Sequence, residues 1–310
     1  TILHLIPIIF ISTSFDETLY SNYFLILGFI IFINYFIILI ANVINRPVEK
    51  LVGLHFQNKA LTKLNSMTNM STIGITGSYG KTSTKNIVYD ILNSKYNVYK
   101  TPANYNTPFG LMITINDFLD KYNDFFIAEM GAYVKGEIAG LCKLVKPKYG
   151  ILTTIGTAHL ESFGSEENII KGKFELIESL PADGFGVLNG DDPKQVNYKL
   201  KNKVKTIWIG INNKDVDVLA KNIKCTSKGT EFDVEFKNEN KEYHFVTKLL
   251  GKHNVYNILA AIACGKEFGI DIDDLKQAVN SVKPIEHRLE IKKLGNFYQI
   301  DDAYNSNPVG

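Results

Sequence analysis

The sequence predicts an α/β protein: a P-loop-containing parallel sheet flanked by helices, carrying an antiparallel β insertion, preceded by membrane-spanning helix and followed by the start of a further α/β domain. Three observations carry this. A buried strand, a glycine loop and a helix start follow one another directly in Ile73-Gly74-Ile75-Thr76-Gly77-Ser78-Tyr79-Gly80-Lys81-Thr82-Ser83-Thr84. Short apolar runs then alternate with amphipathic stretches down the chain, the pattern of a parallel sheet covered by helices on both faces. Finally, residues 18–45 contain no charged side chain and are almost continuously Phe, Ile, Leu and Tyr from Tyr23 to Ile44.

In chain order, the apolar run comes first. About 20 apolar residues cross a bilayer, and residues 23–44 supply that length. An earlier apolar stretch, Ile2 to Ile11, reads as the tail of a preceding span. Asp16 and Glu17 lie between the two, whereas Arg46, Lys50, Lys59 and Lys63 follow the second. The cationic flank is expected on the cytoplasmic side, which places everything after residue 46 in the cytosol. A cleaved signal peptide fits poorly, because the run is too long and has no small-residue cleavage site. Residues 46–70 read as a juxtamembrane helical linker, with Leu51, Leu54, Ala60, Leu61 and Leu64 at helical spacing.

From Ile73 the texture becomes regular. Gly77 and Gly80 let the backbone turn its N–H groups toward phosphate oxygens, Lys81 supplies a cation for the β and γ phosphates, and Thr82 offers a hydroxyl to magnesium. The strict P-loop pattern wants glycine five residues before Gly80, where this chain has Ile75, so the match is the shorter G-x-x-G-K-T form. Ile87, Val88, Ile91 and Leu92 continue at helical spacing. Strands are expected at 125–128, 150–153, 186–188 and 207–209, and helices near 110–119, 137–145 and 169–179. Residues 216–249 read as an antiparallel hairpin insertion with turns at Lys228-Gly229 and Asn238-Glu239-Asn240. Helices return at 254–268 and 272–282, Pro284 marks a hinge, and Leu289–Ile291 and Phe297–Ile300 read as strands of the next domain. The implied domains are 1–45, 46–70, 71–286 and 287–310. With Thr1 and Gly310 at its ends, the chain is expected to continue in both directions, into a C-terminal domain above all.

Composition narrows the function classes. A chain of 310 residues with 45% hydrophobic content can fill one large core or two ordinary ones. A net charge of +2 with no long basic run gives no reason to propose a nucleic-acid partner. Cys142, Cys225 and Cys264 are far apart and form no C-x-x-C pair, which argues against zinc and against a disulfide framework.

Ligands in such sheets bind beyond the carboxyl ends of the strands. Glu129 ends the run Phe125-Phe126-Ile127-Ala128, His159 follows Ile151–Ile155, Lys173 lies on the next helix, and Asp301-Asp302 close the last strand. Taken singly each is as readily a solvated or structural residue. Together at strand ends they point to a metal-assisted phosphoryl-transfer site.

At this point the chain resembles the Mur ligases, ATP-dependent amide-forming enzymes of peptidoglycan synthesis, over about residues 71–310. Within that family, Asp301-Asp302-Ala303-Tyr304-Asn305-Ser306-Asn307-Pro308 is similar to the branch that adds D-alanyl-D-alanine to a UDP-muramoyl tripeptide. Glu129-Met130-Gly131, His159-Leu160-Glu161, Leu180-Pro181-Ala182-Asp183-Gly184, Asn189-Gly190-Asp191-Asp192-Pro193 and Gly251-Lys252-His253-Asn254-Val255-Tyr256-Asn257 agree with it in the same order. The resemblance implies ATP with two magnesium sites. Gly77, Gly80, Lys81, Thr82 and Ser83 would hold the phosphates, and Thr82 and Glu129 one magnesium. His159 would join the second, with Lys173 carbamylated to act as an oxygen donor. Asn257 would contact adenine, Arg288 and Asp302 would close on the γ-phosphate and ribose, and Asn104 and Asn106 would face the muramoyl peptide. The implied catalytic unit is monomeric, in a bacterial cell membrane with its catalytic domain cytoplasmic. The departure is at the N-terminus, where soluble members carry a UDP-binding domain and this chain carries an apolar span; the substrate is therefore either nucleotide-linked or lipid-linked. Two other readings stay open: a sister amide ligase of polyglutamate or cyanophycin type, and a membrane-tethered module that binds ATP without ligating.

Overall fold

The structure, a computed structural model, describes residues 17–303 apart from 227, 240, 287 and 296. The apolar stretch 2–11, Asp16 and residues 304–308 of the acidic string lie outside the described residues. The chain divides into two compact units, Thr1–His55 and Phe56–Gly310. The first consists, as far as it is described, of helix α1 (Glu17–Ser66), whose last turns from Phe56 belong to the second unit. This is one continuous helix through Pro47, running from the apolar stretch into the residues read as a helical linker. Proline removes one intrahelical hydrogen bond, a cost that the helix bears here. Among the described residues it is the one helix long and apolar enough to cross a membrane.

In the second unit a nine-stranded sheet has the order β2-β3-β1-β4-β5-β6-β7-β8-β9 among the described residues. Its strands are β1 (Ser71–Thr76), β2 (Val98–Lys100), β3 (Phe125–Glu129), β4 (Tyr149–Leu152), β5 (Phe185–Asn189), β6 (Lys205–Gly210), β7 (Val218–Thr226), β8 (Gly229–Phe236) and β9 (Glu242–Thr247). Pairing is parallel from β2 through to β7 and antiparallel between β7, β8 and β9. The antiparallel hairpins expected over 216–249 are present, and they extend the main sheet. Ile209 and Gly210 pair in parallel with Val218 and Leu219, and Val218 to Ala220 are buried with the core, so β7 joins the sheet at its first half. The three-residue β2 is the strand that apolar patterning misses, because Val98-Tyr99-Lys100 is too short to show a period.

Helices cover both faces. On one lie α2 (Lys81–Leu92), α8 (Lys252–Glu267) and α9 (Ile272–Ser281), packing Ile87, Val88, Ile91 and Leu92 with Val255, Ile258, Leu259 and Ile262 against Ile73, Ile75 and Ile127. On the other lie α3 (Pro108–Ile113), α4 (Glu137–Val145) and α6 (Glu166–Glu178), with Phe126, Ala128, Leu141, Phe174 and Leu176 in the core. Alternate residues of β3 thus serve opposite cores, as a strand buried on both faces requires. The end of α1 adds Ala60, and the turn after it Met67, to this second core, and Lys63 Nζ donates to the Asn116 carbonyl at 2.9 Å. Helix α3 is followed by a π-helical turn, Thr114–Phe118, where the sequence reads as one helix through 119. Short helices α5 (Leu160–Phe163) and α7 (Pro193–Val196) complete the unit, and β10 (Glu290–Leu294) pairs antiparallel with β11 (Phe297–Asp301).

Candidate active site

Strands β1, β3 and β4 are neighbours, with β1 in the middle, and their carboxyl ends converge where the strand order reverses direction. The P-loop leaves β1 there. Gly77 has φ +152° and Gly80 φ +81°, and a Cβ on Gly77 would stand 1.9 Å from Thr153 Oγ1, so no side chain fits. The loop is pinned to the segment after β4: Ser78 N–H donates to the Thr154 carbonyl at 2.8 Å and Thr153 Oγ1 donates to the Tyr79 carbonyl at 2.6 Å. Lys81 folds its ammonium back over the loop, donating to the carbonyls of Gly77 at 2.8 Å and Ser78 at 3.2 Å. Burial lowers its pKa, Glu129 pulls it up, and Arg288 lowers it further.

Glu129, 1% exposed at the end of β3, is the hub. Its Oε1 accepts from Thr82 Oγ1 and from Asn106 Nδ2, each at 3.1 Å. Its Oε2 lies 2.9 Å from Lys85 Nζ, yet has no hydrogen bond of acceptable direction. The contact is an ion pair by distance only, and it leaves a buried carboxylate lone pair without a donor. The donor set fits magnesium. Two oxygens bound to one Mg2+ at about 2.1 Å in octahedral geometry stand roughly 3 Å apart, close to the observed Thr82–Glu129 separation, and a carboxylate with an open lone pair is the ligand type that ion takes.

Beside this group stand His159 and Lys173. His159 caps α5 in the left-handed region, φ +62°, with its ring 4.4 Å from that of Tyr133. Burial, then Lys173 and Lys81, lower its pKa, which keeps the imidazole in the neutral form that can ligate a metal. Lys173 is 2% exposed on α6, its Nζ 3.4 Å from the Ala132 carbonyl and 5.3 Å from the Phe163 ring centre. Burial foremost, and then repulsion from Lys81, bring its pKa to about 7.

Next to the P-loop opens a cavity of about 620 Å3. Gly80, Ser83, Asn257, Arg288 and Asp302 all line it. Asn257 is fixed by accepting from Thr84 Oγ1 at 3.0 Å and donating to Asn254 Oδ1 at 3.2 Å. Asp302 Oδ1 accepts from the Leu289 N–H at 3.2 Å. The structure thus gathers Lys81, Thr82, Glu129 and Asn106 by direct contact, sets Lys173 and His159 within electrostatic reach of Lys81, and places Ser83, Asn257, Arg288 and Asp302 around the cavity. Asn104 is exposed and enters through its carbonyl, which accepts from Asn106 N–H at 2.7 Å.

Two residues escape the sequence reading. Lys85 is buried against Glu129; the signal is its place one turn before Val88 and two before Leu92 on the apolar stripe of α2, where a cation needs a partner. Asp191 accepts from the N–H groups of Ile211, Asn212 and Asn213 and from Tyr256 Oη, tying the loop after β6 to α8 at the cavity wall. Neither the triple N–H bond nor its distant partners can be seen in a linear string.

Comparison with known proteins agrees with this layout. Residues 75–265 match the Mur ligase middle domain. The UDP-N-acetylmuramoyl-tripeptide–D-alanyl-D-alanine ligase of Bacillus subtilis (strain 168) is 36% identical over 239 residues, covering 76% of this chain and 50% of that protein. Among solved structures, MurF from Acinetobacter baumannii has a TM-score of 0.76 at 25% identity, covering 83% of this chain and 55% of its own. The MurF ligase from Thermotoga maritima in complex with ADP has a TM-score of 0.72 at 29% identity, covering 82% and 58%. The chain spans about half the length of the curated relatives it matches. With the matched stretch running from inside β1 to the last turn of α8, and the P-loop, Glu129, His159 and Lys173 all within it, the chain belongs to the Mur ligase family.

Proposed function

We propose that the protein is an ATP-dependent amide ligase that activates the carboxylate of a muramoyl peptide and joins it to D-alanyl-D-alanine. The observation that carries this is the meeting of a P-loop lysine and a paired Thr82–Glu129 oxygen set at the ends of adjacent strands, with the buried Lys173 of α6 within electrostatic reach and a nucleotide-sized cavity beside them. The curated relatives carry the name of that reaction.

A carboxylate is a poor acyl donor. In the proposed sequence its oxygen attacks the γ-phosphorus of ATP and the bond to the β-phosphate oxygen breaks, giving ADP and an acyl phosphate. The amine of the dipeptide then attacks the acyl carbon, inorganic phosphate leaves, and the nitrogen sheds its proton to solvent. Lys81 and the loop N–H groups between Gly77 and Ser83 neutralise the triphosphate, so that the attacking carboxylate is not repelled. Asn257, Arg288 and Asp302 orient the nucleotide in the cavity, and Asn104 and Asn106 present the peptide. Thr82 and Glu129 hold one magnesium, and His159 and Lys173 a second. When bound, the metal disperses charge on the phosphoryl oxygens. In this reading Lys173 carries a carbamate: a lysine titrating near 7 offers a neutral amine to carbon dioxide, and the product is an oxygen-donor anion instead of a cation that would repel the ion.

The apolar length of α1 supports attachment to a bacterial cell membrane with the catalytic unit on the cytoplasmic side. It also favours a second reading, in which the muramoyl peptide is lipid-linked instead of nucleotide-linked. The test is release of ADP and phosphate by the full-length protein in detergent with magnesium and UDP-muramoyl tripeptide, with and without D-alanyl-D-alanine. Dipeptide-dependent release is expected. ATP binding without release would refute the nucleotide-linked substrate, and the lipid-linked form assayed in parallel decides the second reading.

A further inference from the structure

We propose that Lys85 is a positioning residue that ties the loop Thr101–Gly110 to Glu129, so that the substrate-facing loop and the metal-binding carboxylate hold one register. Its ammonium is 2% exposed and lies between two groups: Glu129 Oε2 at 2.9 Å and the Ala103 carbonyl at 2.7 Å. The loop's other attachments are made further along the chain on either side. Thr101 N–H donates to the Ile127 carbonyl at 3.0 Å, Thr101 Oγ1 accepts from Glu129 N–H at 3.2 Å, and Gly131 N–H donates to the Asn106 carbonyl at 2.9 Å. Asn106 Nδ2 adds its bond to Glu129 Oε1. Lys85 thus serves the apex of the loop between these anchors. There Ala103 sits at φ +37°, a region that disfavours any residue with a Cβ and that needs an outside contact to persist.

The choice of lysine is physically specific. An ammonium has three donors and no acceptor, so it can hold a carbonyl and face a carboxylate at once. A buried carboxylate without a partner cation destabilises the fold or takes up a proton. Lys85 meets that need at Oε2 and leaves Oε1 to Thr82 and Asn106. The consequence is coupling: a shift of Glu129 toward a bound cation drags on Lys85, and through it on Ala103 and the residues that face the peptide.

The inference rests on the reading of Glu129 as a magnesium ligand and of residues 101–110 as the peptide-facing loop, so the first readout needs neither acceptor nor turnover. Hydrogen–deuterium exchange is measured on the full-length protein in detergent, comparing wild type with Lys85→Met and Lys85→Arg. The amides of Tyr105 and Asn106, which bond to the Pro102 and Asn104 carbonyls, report the apex; Thr101 and β1 report the frame. In Lys85→Met the apex amides are expected to exchange about tenfold faster while the frame stays within about twofold, the loss of one charge-assisted hydrogen bond. Lys85→Arg, which keeps charge and donors, restores most of the protection. In turnover assays Lys85→Met raises KM for UDP-muramoyl tripeptide about tenfold, and Lys85→Arg brings it back to within about twofold of wild type. If Lys85→Met fails to fold, Lys85→Met/Glu129→Gln removes the stranded charge and should still show a fast apex. Unchanged apex exchange in a folded variant, or loosening spread equally over apex and β1, overturns the proposal. If the wild type ligates nothing, the functional reading fails by itself, and the exchange comparison still decides whether Lys85 holds the loop.

Discussion

Lys173 makes the metal-free site costly to fold, and replacing it with methionine should reveal by how much. In the folded chain its pKa lies near 7, against 10.5 for an unhindered lysine, because burial strips water from the ammonium and Lys81 repels it. Each pKa unit corresponds to about 1.36 kcal/mol, so the charged form is disfavoured by on the order of 5 kcal/mol. Between pH 7 and 10.5 the unfolded chain holds a proton that the folded chain has released. Stability therefore rises with pH across this window and is lost as pH falls through it, with the penalty complete below about 7. Lys173→Met keeps the straight apolar stem and deletes the titration. Relative to wild type it should be stabilised most at pH 6.5 and much less at pH 9.5, the advantage shrinking by about 3 kcal/mol between the two. The assay is urea unfolding of both full-length proteins in detergent, in degassed buffer without magnesium or nucleotide. An advantage that does not vary with pH would refute the reasoning.

Further outcomes follow from other parts of the site. With 13C-bicarbonate the wild type should give a carbamate carbonyl resonance that Lys173→Arg lacks, because arginine keeps its proton; absence from the wild type at pH 8 with magnesium and ATP would exclude the carbamate. Gly77→Ala should abolish nucleotide binding measured by calorimetry, since its Cβ would overlap Thr153 Oγ1 and φ +152° disfavours a side chain. Asp191→Asn should cost about 2–3 kcal/mol in thermal or urea unfolding and widen the ATP site, by weakening three N–H bonds and that of Tyr256. Burial opposes ionisation of Asp191, but those donors outweigh it and hold its pKa below 3.8, so its contribution is complete above that value and is lost as pH falls through the lower folded one.

How much of this was legible depends on whether a signal is local. The P-loop could be read because its glycines, lysine and threonine lie within a few residues of one another, and the φ values of Gly77 and Gly80 are those that the glycines allow. Five apolar runs located β1, β3, β4, β5 and β6, because strands buried on both faces are apolar throughout. The role of β7 in extending that sheet was not legible: whether a hairpin stands apart or adds to a sheet depends on pairing between Ile209 and Val218, which leaves no mark on either stretch. Glu129, His159 and Lys173 could be nominated at strand ends, yet nothing local shows that Lys85 answers Glu129 or that Asp191 answers Ile211 to Asn213. Such partnerships are made by tertiary packing.

The same packing explains why the site is built at a cost. Lys81 and Lys85 face a single buried carboxylate, Glu129, with Lys173 within electrostatic reach of Lys81, and both Lys81 and Lys173 have pKa values lowered chiefly through burial. His159 is pushed toward neutrality by burial first and then by Lys173 and Lys81. A triphosphate brings the missing negative charge, and a carbamate on Lys173 would convert one surplus cation into an anion. Ligand that binds the folded state stabilises it by mass action, so the strain of the metal-free site returns as affinity for the nucleotide. A site designed only for stability would carry an apolar side chain at position 173, beside the Phe163 ring; a lysine there, 2% exposed, with its pKa brought down by burial, marks the position as a candidate for a role in the bound state.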